Sequence, residues 1–429
     1  MDRFPRPSDN PPFGLLGRKL GHSWSPRIHA LMGSAPYGLF EREPEDVERF
    51  LREGSWRGIN VTIPYKRVAA DAADERSERV ERLGVANTLV RKGDGTIYAD
   101  NTDVLGFSWM LERFCHEQLG AGTRELLGGR KALVLGSGGA SQAVRAALRD
   151  TGAQAVVISR TGAETYDAIV ERHADAVLVV NTTPVGMFPD CPASPLSDEQ
   201  LAGITGLRAV LDVVYNPERT GLCLAAERLG IPFESGLAML VAQAWHSSAR
   251  FQNKELDDGL IGEVERDLQS RSRNVILIGM PGSGKTSAGR RLARMVGRPF
   301  VDLDDCFLVD FGMTPAECIT SRGEEAFRAL ETKSAATYAS RSGLVIACGG
   351  GIVTQARNYD ILHQNGTIVM LDRPLDELSS DGRPLSQSRG VETLANERMG
   401  LYRSWADIVL TCTGTAAGDA LAIHELMNR

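Results

Sequence analysis

The sequence predicts an α/β fold divided into more than one domain. Short apolar runs typical of buried strands alternate with helical patterns, most clearly in residues 131–160 and 274–304, and this alternation is characteristic of parallel sheets covered by helices. The chain has 429 residues, which exceeds what one hydrophobic core usually organises. Two predicted strands run into glycine-rich turns of different spacing, at 136–141 and 279–286. We therefore predict two unlike α/β modules, each with its own glycine turn.

A polar stretch marks the predicted junction between these modules. Residues 263–274, EVERDLQSRSRN, contain few apolar side chains and precede the strand that leads into the second glycine turn. Domain boundaries commonly fall in polar segments of this kind, so we place the main boundary near residue 270. The two glycine turns differ in spacing, which argues against a tandem duplication.

Composition and charge restrict the classes of partner. The net charge of −7 provides no general attraction for nucleic acid or an anionic membrane, so we expect small molecules held by local features. Seven cysteines lie far apart with no C-x-x-C pair, which is typical of free thiols in a reducing compartment. No run of about 18 consecutive apolar residues occurs. We therefore expect a cytoplasmic protein without a signal peptide or a membrane span.

The first glycine turn follows the G-x-G-x-x-S pattern of dinucleotide-binding loops. In LVLGSGGAS, Gly136 allows the tight turn, Gly138 allows a pyrophosphate to approach the backbone, and Ser141 is small enough for close helix packing. The pattern alone is about as often a purely structural turn. The next predicted strand ends at Ser159, and Arg160 follows where an NAD enzyme usually carries an acidic residue. An arginine can pair with a 2′-phosphate, so NADP is the favoured cofactor.

Seven motifs indicate which family the first module resembles. They are LGHSWSPRIH (20–29), GINVTIPYK (58–66), GVANTL (84–89), DNTDVLGF (100–107), NTTPVGM (181–187), DVVYNPERT (212–220) and GLAMLVAQA (236–244). In this order they resemble shikimate dehydrogenase over nearly the whole of residues 13–250. The resemblance implies a substrate-binding domain, an NADP-binding Rossmann domain, and reduction of 3-dehydroshikimate to shikimate with NADPH.

The resemblance also assigns roles to residues of this module. Lys66 and Asp103 match the pair that handles the proton when the ring ketone becomes a hydroxyl, and an amine beside a carboxylate suits that exchange. Considered singly, Lys66 would more often be a surface lysine and Asp103 a turn residue. The substrate contacts are matched by Ser23, Ser25, Thr62, Asn87 and Gln243, and the cofactor contacts by Gly136, Gly138, Gly139, Ala140, Ser141, Arg160 and Thr161. No metal site is predicted here, because His22 and His29 lack further ligands at metal spacing.

The second glycine turn matches the G-x-x-x-x-G-K-[ST] pattern of P-loops. Gly279, Gly284, Lys285 and Thr286 occupy its fixed positions after the apolar run 275–278. The loop backbone cradles phosphates, the lysine adds a charge directed at them, and the threonine hydroxyl is directed at Mg²⁺. Because the pattern alone admits ATPases, GTPases and small-molecule kinases, residues around the loop decide specificity.

Five further stretches resemble shikimate kinase over about residues 273–412. They are FVDLDD (300–305), RGEEAFRALE (322–331), CGGGIV (348–353), DGRPLS (381–386) and ERMGLYRSWAD (397–407). The resemblance implies transfer of the ATP γ-phosphate to the 3-hydroxyl of shikimate, with Mg²⁺ held by Thr286 and Asp302. It assigns ATP binding to Gly282, Gly284, Lys285 and Thr286, catalysis to Lys285, Asp304 and Arg383, and the shikimate pocket to Asp304, Arg328, Gly350, Gly351 and Arg398.

The chemistry of arginine fits these roles. The planar guanidinium forms two parallel hydrogen bonds with a carboxylate, which suits Arg328 and Arg398 to the substrate. Arg383 lies in the stretch that matches a mobile lid, where a cation can offset charge on the transferring phosphoryl group. Between LDRPLDEL and DGRPLS the chain is shorter than many members of the family, so the match is weakest in the lid.

Together the two modules predict a bifunctional enzyme of the shikimate pathway. The predicted dehydrogenase has a substrate-binding domain at residues 1–108 and 236–265 and an NADP-binding domain at 109–235, and the predicted kinase domain spans 273–429. The expected ligands are NADP(H), ATP, Mg²⁺, 3-dehydroshikimate and shikimate. Two alternatives fit the same folds: a quinate/shikimate dehydrogenase that prefers NAD and carries a kinase domain, or a non-catalytic, metabolite-sensing regulator.

Overall fold

A computed structural model of the chain describes residues 11–21, 23–378 and 390–427. Contacts divide the chain into two compact units. The first comprises Met1–Pro184, Pro195–Tyr215 and Ala225–Asp267, and the second comprises Val185–Ser194, Asn216–Leu224 and Leu268–Arg429. Helices cover parallel or mostly parallel sheets in both units, so the predicted α/β fold class is confirmed.

The first unit begins with a six-stranded mixed sheet. Its strands are β1 (Phe13–Gly17), β2 (Tyr37–Glu41), β3 (Gly58–Val61), β4 (Glu75–Arg76), β5 (Thr88–Arg91) and β6 (Ile97–Asp100), and its helices are α1 (Ser25–Leu31), α2 (Pro44–Glu53), α3 (Lys66–Asp71) and α4 (Glu78–Leu83). The strand order is β2-β1-β3-β5-β6-β4, with β5 antiparallel to both of its neighbours. Leu16, Leu51, Ile59 and Leu89 are completely buried and form the core of this part, so the sheet is a rigid base for the residues that follow its strands.

A second, fully parallel sheet follows in the same unit. Its strands are β7 (Lys131–Leu135), β8 (Gln154–Ile158), β9 (Leu178–Asn181), β10 (Ala209–Asp212) and β11 (Phe233–Glu234), and its helices are α5 (Thr102–Leu119), α6 (Thr123–Leu127), α7 (Gly139–Asp150), α8 (Ile169–His173), α9 (Asp198–Gly203), α10 (Gly221–Arg228) and α11 (Leu237–Gln252). The first four residues of α10 group with the second unit. The strand order is β11-β10-β9-β7-β8. Leu133, Val134, Val180 and Leu211 are completely buried, as expected where helices cover both faces of a parallel sheet.

Two long helices, α5 and α11, pack against each other between these sheets. A Cβ on Gly106 of α5 would lie 2.7 Å from the Met239 carbonyl oxygen of α11, so the absence of a side chain permits this close packing. The helices therefore hold residues of α5 and α11 near one another, including two of the predicted site residues.

The polar stretch that predicted a boundary is part of a helix. Helix α12 spans Gly259–Ser272, and the division between the units falls within it. Its polar residues have partners in the first unit: Glu265 accepts from Arg113 at 2.6 Å, and Asp267 accepts two bonds from Arg27 at 2.7 Å. These ion pairs explain why a sequence poor in apolar residues is ordered here.

The second unit contains a five-stranded parallel sheet. Its strands are β12 (Asn274–Ile278), β13 (Phe300–Asp302), β14 (Val345–Ala347), β15 (Gly366–Asp372) and β16 (Ile408–Thr411), and its helices are α13 (Lys285–Val296), α14 (Leu303–Phe311), α15 (Pro315–Arg322), α16 (Glu324–Ala339), α17 (Arg357–His363), α18 (Val391–Trp405) and α19 (Ala416–Met427). The strand order is β13-β14-β12-β15-β16. The central strand, β12, is buried along its whole length and leads into the second glycine turn.

Among the helices of residues 11–21, 23–378 and 390–427, none combines the length and the apolar character that crossing a bilayer requires.

Candidate active sites

The lysine and aspartate predicted to handle a proton form a close ion pair. Lys66 is the first residue of α3, and Asp103 lies in the first turn of α5. Lys66 Nζ lies 2.6 Å from Asp103 Oδ2, and the two side chains are only 19% and 15% exposed. This geometry holds the amine where it can exchange a proton with a molecule in the adjoining cavity.

A hydrogen-bond network orients this ion pair. Asn87 Nδ2 donates to Asp103 Oδ1 at 2.9 Å, and Asn87 Oδ1 accepts the Thr102 N–H at 2.7 Å. The Asn87 amide also donates to Gln243 Oε1 at 3.5 Å. Because both oxygens of Asp103 have partners, the carboxylate keeps one orientation and directs Lys66 with it.

The predicted catalytic and substrate-binding residues of the first unit line one cavity of about 290 Å³. They are Ser23, Ser25, Thr62, Lys66, Asn87, Asp103 and Gln243. Asn60 and Tyr215 line it as well and were not predicted, although both lie within motifs quoted above. Tyr37 holds the buried Asn60 by donating to its Oδ1 at 2.8 Å. Ala140 of the glycine turn also lines this cavity, so a cofactor on the turn would adjoin the substrate residues.

The first glycine turn joins β7 to α7. Gly136 has a φ of +100°, and a Cβ there would lie 2.8 Å from Thr183 Cγ2, so the turn requires glycine. On Gly138 and Gly139, a Cβ would meet no described atom within 4 Å, which leaves the turn accessible to a pyrophosphate at the start of α7. Ser141 is completely buried. A small side chain at this position permits close packing of the helix.

Arg160 and Thr161 follow β8, which pairs with β7 in parallel. They consequently lie at the same edge of the sheet as the glycine turn. Both residues are exposed, and the Ser159 N–H closes the loop by donating to the Glu164 carbonyl at 3.0 Å. An exposed guanidinium at this edge fits the 2′-phosphate of NADP.

The P-loop of the second unit joins β12 to α13. Gly282 and Gly284 have φ values of +89° and +95°, which glycine adopts without steric cost. The buried Lys285 begins α13, and its Nζ donates to the carbonyls of Gly279 and Met280 at 2.9 Å each. The ammonium group therefore lies against the loop itself, where it can meet a bound phosphate.

Oxygen atoms that suit Mg²⁺ lie beside the P-loop. Thr286 Oγ1 donates to Asp302 Oδ2 at 2.7 Å, and Asp302 Oδ1 accepts the Asp304 N–H at 3.0 Å. Hydroxyl and carboxylate oxygens are ligands of the type that Mg²⁺ prefers, so the pair fits the ion that accompanies ATP.

Asp304 is open to the cavity but surrounded by protein, and this desolvation together with the charge of Asp302 raises its pKa. A raised pKa suits a carboxylate that accepts a proton near neutral pH.

The P-loop and the residues predicted to bind shikimate line one cavity of about 680 Å³. The predicted residues in its lining are Gly282, Gly284, Lys285, Thr286, Asp302, Asp304, Arg328, Gly350, Gly351 and Arg398. Glu331 and Cys348 line it too and were not predicted. Glu331 Oε2 accepts from Arg328 Nη1 at 2.6 Å. The i, i+3 spacing of the two residues on α16 is a signal that could have identified Glu331.

Two buried arginines contribute to this cavity. Arg328 and Arg398 are 5% and 2% exposed. A Cβ on Gly351 would collide with the Arg328 guanidinium, so this contact requires glycine. Arg398 Nη1 donates to the Gly350 carbonyl at 3.2 Å, and the Tyr402 hydroxyl donates to the same oxygen. Within the described chain, the Nε atoms of both arginines are buried without a hydrogen-bond partner, so a ligand in the cavity would meet other atoms of these two side chains.

Arg383, predicted to act from the lid, lies outside the described residues. Within residues 11–21, 23–378 and 390–427, no cluster of three or more His, Cys, Asp or Glu side chains could hold a metal ion. The Thr286–Asp302 pair would therefore bind Mg²⁺ together with the nucleotide phosphates.

Comparison with known proteins identifies two domain families in the chain. The family model of the shikimate dehydrogenase substrate-binding domain matches residues 15–89, and that of shikimate kinase matches residues 281–428. Shikimate dehydrogenase (NADP(+)) of Caldanaerobacter subterraneus subsp. tengcongensis is 32% identical over 281 residues. This match covers 59% of this chain and 96% of the relative.

Solved structures are similar over the same share of the chain. A chorismate mutase/shikimate 5-dehydrogenase fusion protein from Clostridium acetobutylicum has 32% identity and a TM-score of 0.53, and covers 60% of this chain and 96% of its own. Shikimate 5-dehydrogenase from Thermus thermophilus, solved with NADP(H) and shikimate, has 30% identity and a TM-score of 0.50, covering 59% and 98%. Quinate dehydrogenase from Corynebacterium glutamicum, solved with NAD, has 27% identity and a TM-score of 0.52, covering 60% and 98%.

These matches agree with the motifs in both modules. The dehydrogenase relatives are matched over almost their whole length, and the kinase family model includes most of the P-loop and all later motifs. The prediction of a dehydrogenase and kinase fusion is thus confirmed. The chain belongs to the shikimate dehydrogenase family and carries a shikimate kinase domain in residues 281–428.

Proposed function

We propose that this chain catalyses two consecutive reactions of the shikimate pathway. The first unit reduces 3-dehydroshikimate to shikimate with NADPH, and the second phosphorylates the 3-hydroxyl of shikimate with ATP and Mg²⁺. The observation that carries the proposal is that each unit has its own nucleotide loop beside its own polar cavity. One cavity contains a lysine–carboxylate pair and the other contains two buried arginines, which are the groups that the two reactions require.

In the first unit, the Lys66–Asp103 pair acts as one proton-handling group. NADPH supplies a hydride when it is bound. Reduction of the ketone leaves an oxygen that needs a proton, and Lys66 Nζ donates it from the wall of the cavity. Asp103 holds the amine by its 2.6 Å bond, while Asn87 and Gln243 offer neutral hydrogen bonds to the ring hydroxyls.

In the second unit, two arginines bind the substrate and an aspartate activates its hydroxyl. Arg328 and Arg398 bind the shikimate carboxylate, because both line the cavity and a guanidinium pairs well with a carboxylate. Asp304 accepts the proton of the attacking hydroxyl, a role that its raised pKa favours. Lys285 exchanges the loop carbonyls for phosphate oxygens. The proposed role of Arg383 is to offset charge on the transferring phosphoryl group.

One experiment tests both activities in the same sample. Purified full-length protein is supplied with 3-dehydroshikimate, NADPH and ATP-Mg²⁺, and the products are identified by mass spectrometry while NADPH absorbance is followed. We expect NADPH oxidation and the appearance of shikimate 3-phosphate. Without ATP, the product should be shikimate. Absence of turnover in a folded protein that still binds these ligands would support the metabolite-sensing alternative and contradict our proposal.

Cofactor and substrate choice has a specific alternative. A quinate dehydrogenase solved with NAD has a similar fold, so the fold itself does not fix either ligand. We favour NADP and shikimate because Arg160 occupies the position after β8 where a 2′-phosphate would bind. Measuring kcat/KM for shikimate with NADP⁺ and for quinate with NAD⁺ distinguishes the two. A higher value for the second combination would overturn this part of the proposal.

We also propose the domain assignment: residues 1–108 and 236–265 bind the dehydrogenase substrate, 109–235 bind NADP, and 273–429 form the kinase. Because α12 ends at Ser272, fragments 1–272 and 273–429 leave this helix intact. We expect the first to oxidise shikimate with NADP⁺ and the second to phosphorylate shikimate. Segments Val185–Ser194 and Asn216–Leu224 group with the second unit, so the fragments are assayed singly and mixed. Activity restored only on mixing would contradict the assignment.

The charge and cysteine content support a cytoplasmic protein without nucleic-acid or membrane partners. All seven cysteines are free thiols, which is typical of a reducing compartment, and the net charge is −7. We propose that the substrates and cofactors are its main ligands. Fractionation of the native host is the test, and recovery of the protein in the membrane fraction would contradict this view.

A further inference from the structure

A mostly buried arginine outside the predicted site contacts the P-loop. Arg373 directly follows β15, whose carboxyl end lies beside that of β12 because the two strands pair in parallel. Its Nε donates to the Ser283 carbonyl at 3.2 Å, and its side chain is 15% exposed. Ser283 lies inside the P-loop, directly before Gly284.

A buried carboxylate holds this arginine in place. Asp419, in the first turn of α19, is completely buried, and its Oδ2 lies 3.2 Å from Arg373 Nη2. The other oxygen of Asp419 accepts the N–H and the hydroxyl of Thr413 at 2.6 and 2.8 Å. Glu377, which is half exposed, approaches Arg373 Nη1 at 3.6 Å. Asp419 therefore connects the start of α19 to the P-loop through Arg373.

The bond from Arg373 fixes the direction of one P-loop peptide. In a trans peptide the N–H points away from the carbonyl of the same plane, and the Ser283–Gly284 bond is trans. A Ser283 carbonyl directed at Arg373 thus turns the Gly284 N–H to the opposite side. Gly284 lines the kinase cavity, and backbone N–H groups of P-loops bind phosphate oxygens. Cys412 Sγ lies 3.9 Å from the same carbonyl oxygen. Because a thiol is a weak hydrogen-bond donor, it contributes little to the orientation of this carbonyl.

We propose that Arg373 is a positioning residue for the nucleotide: it holds the Ser283–Gly284 peptide with its N–H toward the phosphates, and Asp419 holds Arg373. The inference rests on the proposed kinase function, since it concerns the phosphates of bound ATP. The two carboxylates beside Arg373 offset its charge, so its contribution is the geometry of the loop. Such a residue affects the affinity for ATP and leaves the affinity for shikimate unchanged.

The test compares Arg373→Met, which has no hydrogen-bond donor for Ser283, with the wild-type full-length protein. We expect the variant to raise the KM for ATP and the Kd for MgADP by about 2- to 12-fold, the range for one hydrogen bond, with the KM for shikimate within twofold of wild type. Arg373→Lys, which can still donate to Ser283, should recover part of the affinity. The matched control is Glu377→Gln, which removes a partner of the same guanidinium without touching the P-loop and should bind MgADP as wild type does. NADP-dependent oxidation of shikimate by the same samples checks that the protein is folded.

The outcomes separate this inference from the proposed function. If wild-type protein neither binds MgADP nor phosphorylates shikimate, the proposed kinase function fails. If wild type is active and Arg373→Met binds MgADP equally well, the positioning role is wrong. A parallel rise in the KM values for ATP and shikimate would also overturn it, since it would indicate general loosening of the unit. Should Arg373→Met fail to fold, Asp419→Asn, which removes the charge that holds Arg373, is measured instead, and MgADP binding equal to that of wild type would then overturn the role.

Discussion

Each nucleotide site of this chain has one lysine, and the two lysines are held in different ways. Lys66 pairs with the carboxylate of Asp103 at 2.6 Å, whereas Lys285 donates to the backbone carbonyls of Gly279 and Met280. A carboxylate can keep an amine in place while the amine loses and regains a proton. Neutral carbonyls hold a lysine that stays charged and can release it to a phosphate. This difference supports our proposal that Lys66 transfers a proton and that Lys285 provides a fixed positive charge.

The largest expected effect comes from removing the lysine that transfers a proton. Lys66→Met should lower kcat for 3-dehydroshikimate reduction by about 10²- to 10⁴-fold, the usual contribution of a positioned acid or base. Kinase turnover should stay near wild type. Both rates are measured on the same preparation by NADPH absorbance and by ADP release.

A second lysine–carboxylate pair in the first unit provides the control. Lys92 lies 2.6 Å from Glu75 Oε2, and both side chains are exposed. Lys92→Met should leave reduction unchanged, because this pair lies outside the cavity lining. Equal effects of the two substitutions, or reduction by Lys66→Met within a few-fold of wild type, would refute the catalytic role of Lys66.

The second effect, of about 10²- to 10³-fold, is expected at the other lysine. Lys285→Met removes a fixed charge beside the transferring phosphoryl group, and losing one such electrostatic contact typically costs that much in kcat. Reduction of 3-dehydroshikimate should not change. If phosphorylation persists at more than a tenth of the wild-type rate, or if reduction falls with it, then the two lysines do not act separately as the comparison requires.

A smaller effect is expected for cofactor choice in the first unit. Arg160→Gln should raise the ratio of the KM for NADPH to the KM for NADH. The expected change corresponds to roughly 1.5 to 3 kcal/mol, the range for a hydrogen bond to a charged group. Steady-state kinetics with both cofactors measure the ratio. Arg149→Gln, an exposed arginine on α7, is the control and should not alter it. An unchanged ratio in Arg160→Gln would contradict the 2′-phosphate assignment.

The smallest expected effect is a difference in pH dependence between the two reactions. Burial and the charge of Asp302 raise the pKa of Asp304, so on acidification Asp304 takes up a proton at a higher pH than an ordinary aspartate does. Only its deprotonated form can accept the proton of shikimate. Bound Mg²⁺ would offset the charge of Asp302, but desolvation, the largest cause of the raised pKa, remains. Kinase kcat/KM should therefore fall on the acid side at a higher pH than an unperturbed aspartate would give.

A neighbouring charge offers a way to sharpen this prediction. Asp305 also raises the pKa of Asp304, as the weakest of the contributions, and it lies outside the cavity lining. Asp305→Asn should shift the acid limb of the kinase profile slightly to lower pH. The dehydrogenase profile of the same samples serves as the reference. A shift to higher pH, or an acid limb at the pKa of an ordinary aspartate in wild type, would rule out Asp304 as the proton acceptor.

Local patterns were sufficient to predict the fold class and both nucleotide loops. A buried strand, a glycine turn and a helix start are adjacent in sequence, so LVLGSGGAS and GMPGSGKT specify their own geometry. Residues that follow neighbouring parallel strands meet at one sheet edge. This is why Arg160 lies at the same edge as the first glycine turn, although no local pattern pairs them.

Contacts between distant residues could not be predicted from such patterns. The polar stretch 263–274 predicted a boundary, and the division between the two units falls within it. Its sequence did not indicate that Glu265 and Asp267 pair with arginines far away in the chain. Arg373 and Ser283 are separated by 90 residues, and nothing near Arg373 in the chain indicates a P-loop contact. Both examples depend on partners that only the folded chain brings together.

One thiol in the kinase cavity has a consequence for inhibitor chemistry. Cys348 lines the cavity but is only 3% exposed, and burial raises its pKa well above the usual value for a cysteine. Electrophiles and oxidants react with the thiolate, so a cysteine kept protonated reacts slowly. A covalent warhead directed at this pocket would find a poor nucleophile. Compounds with a carboxylate that pairs with the buried arginines are better candidates for inhibitors of this site.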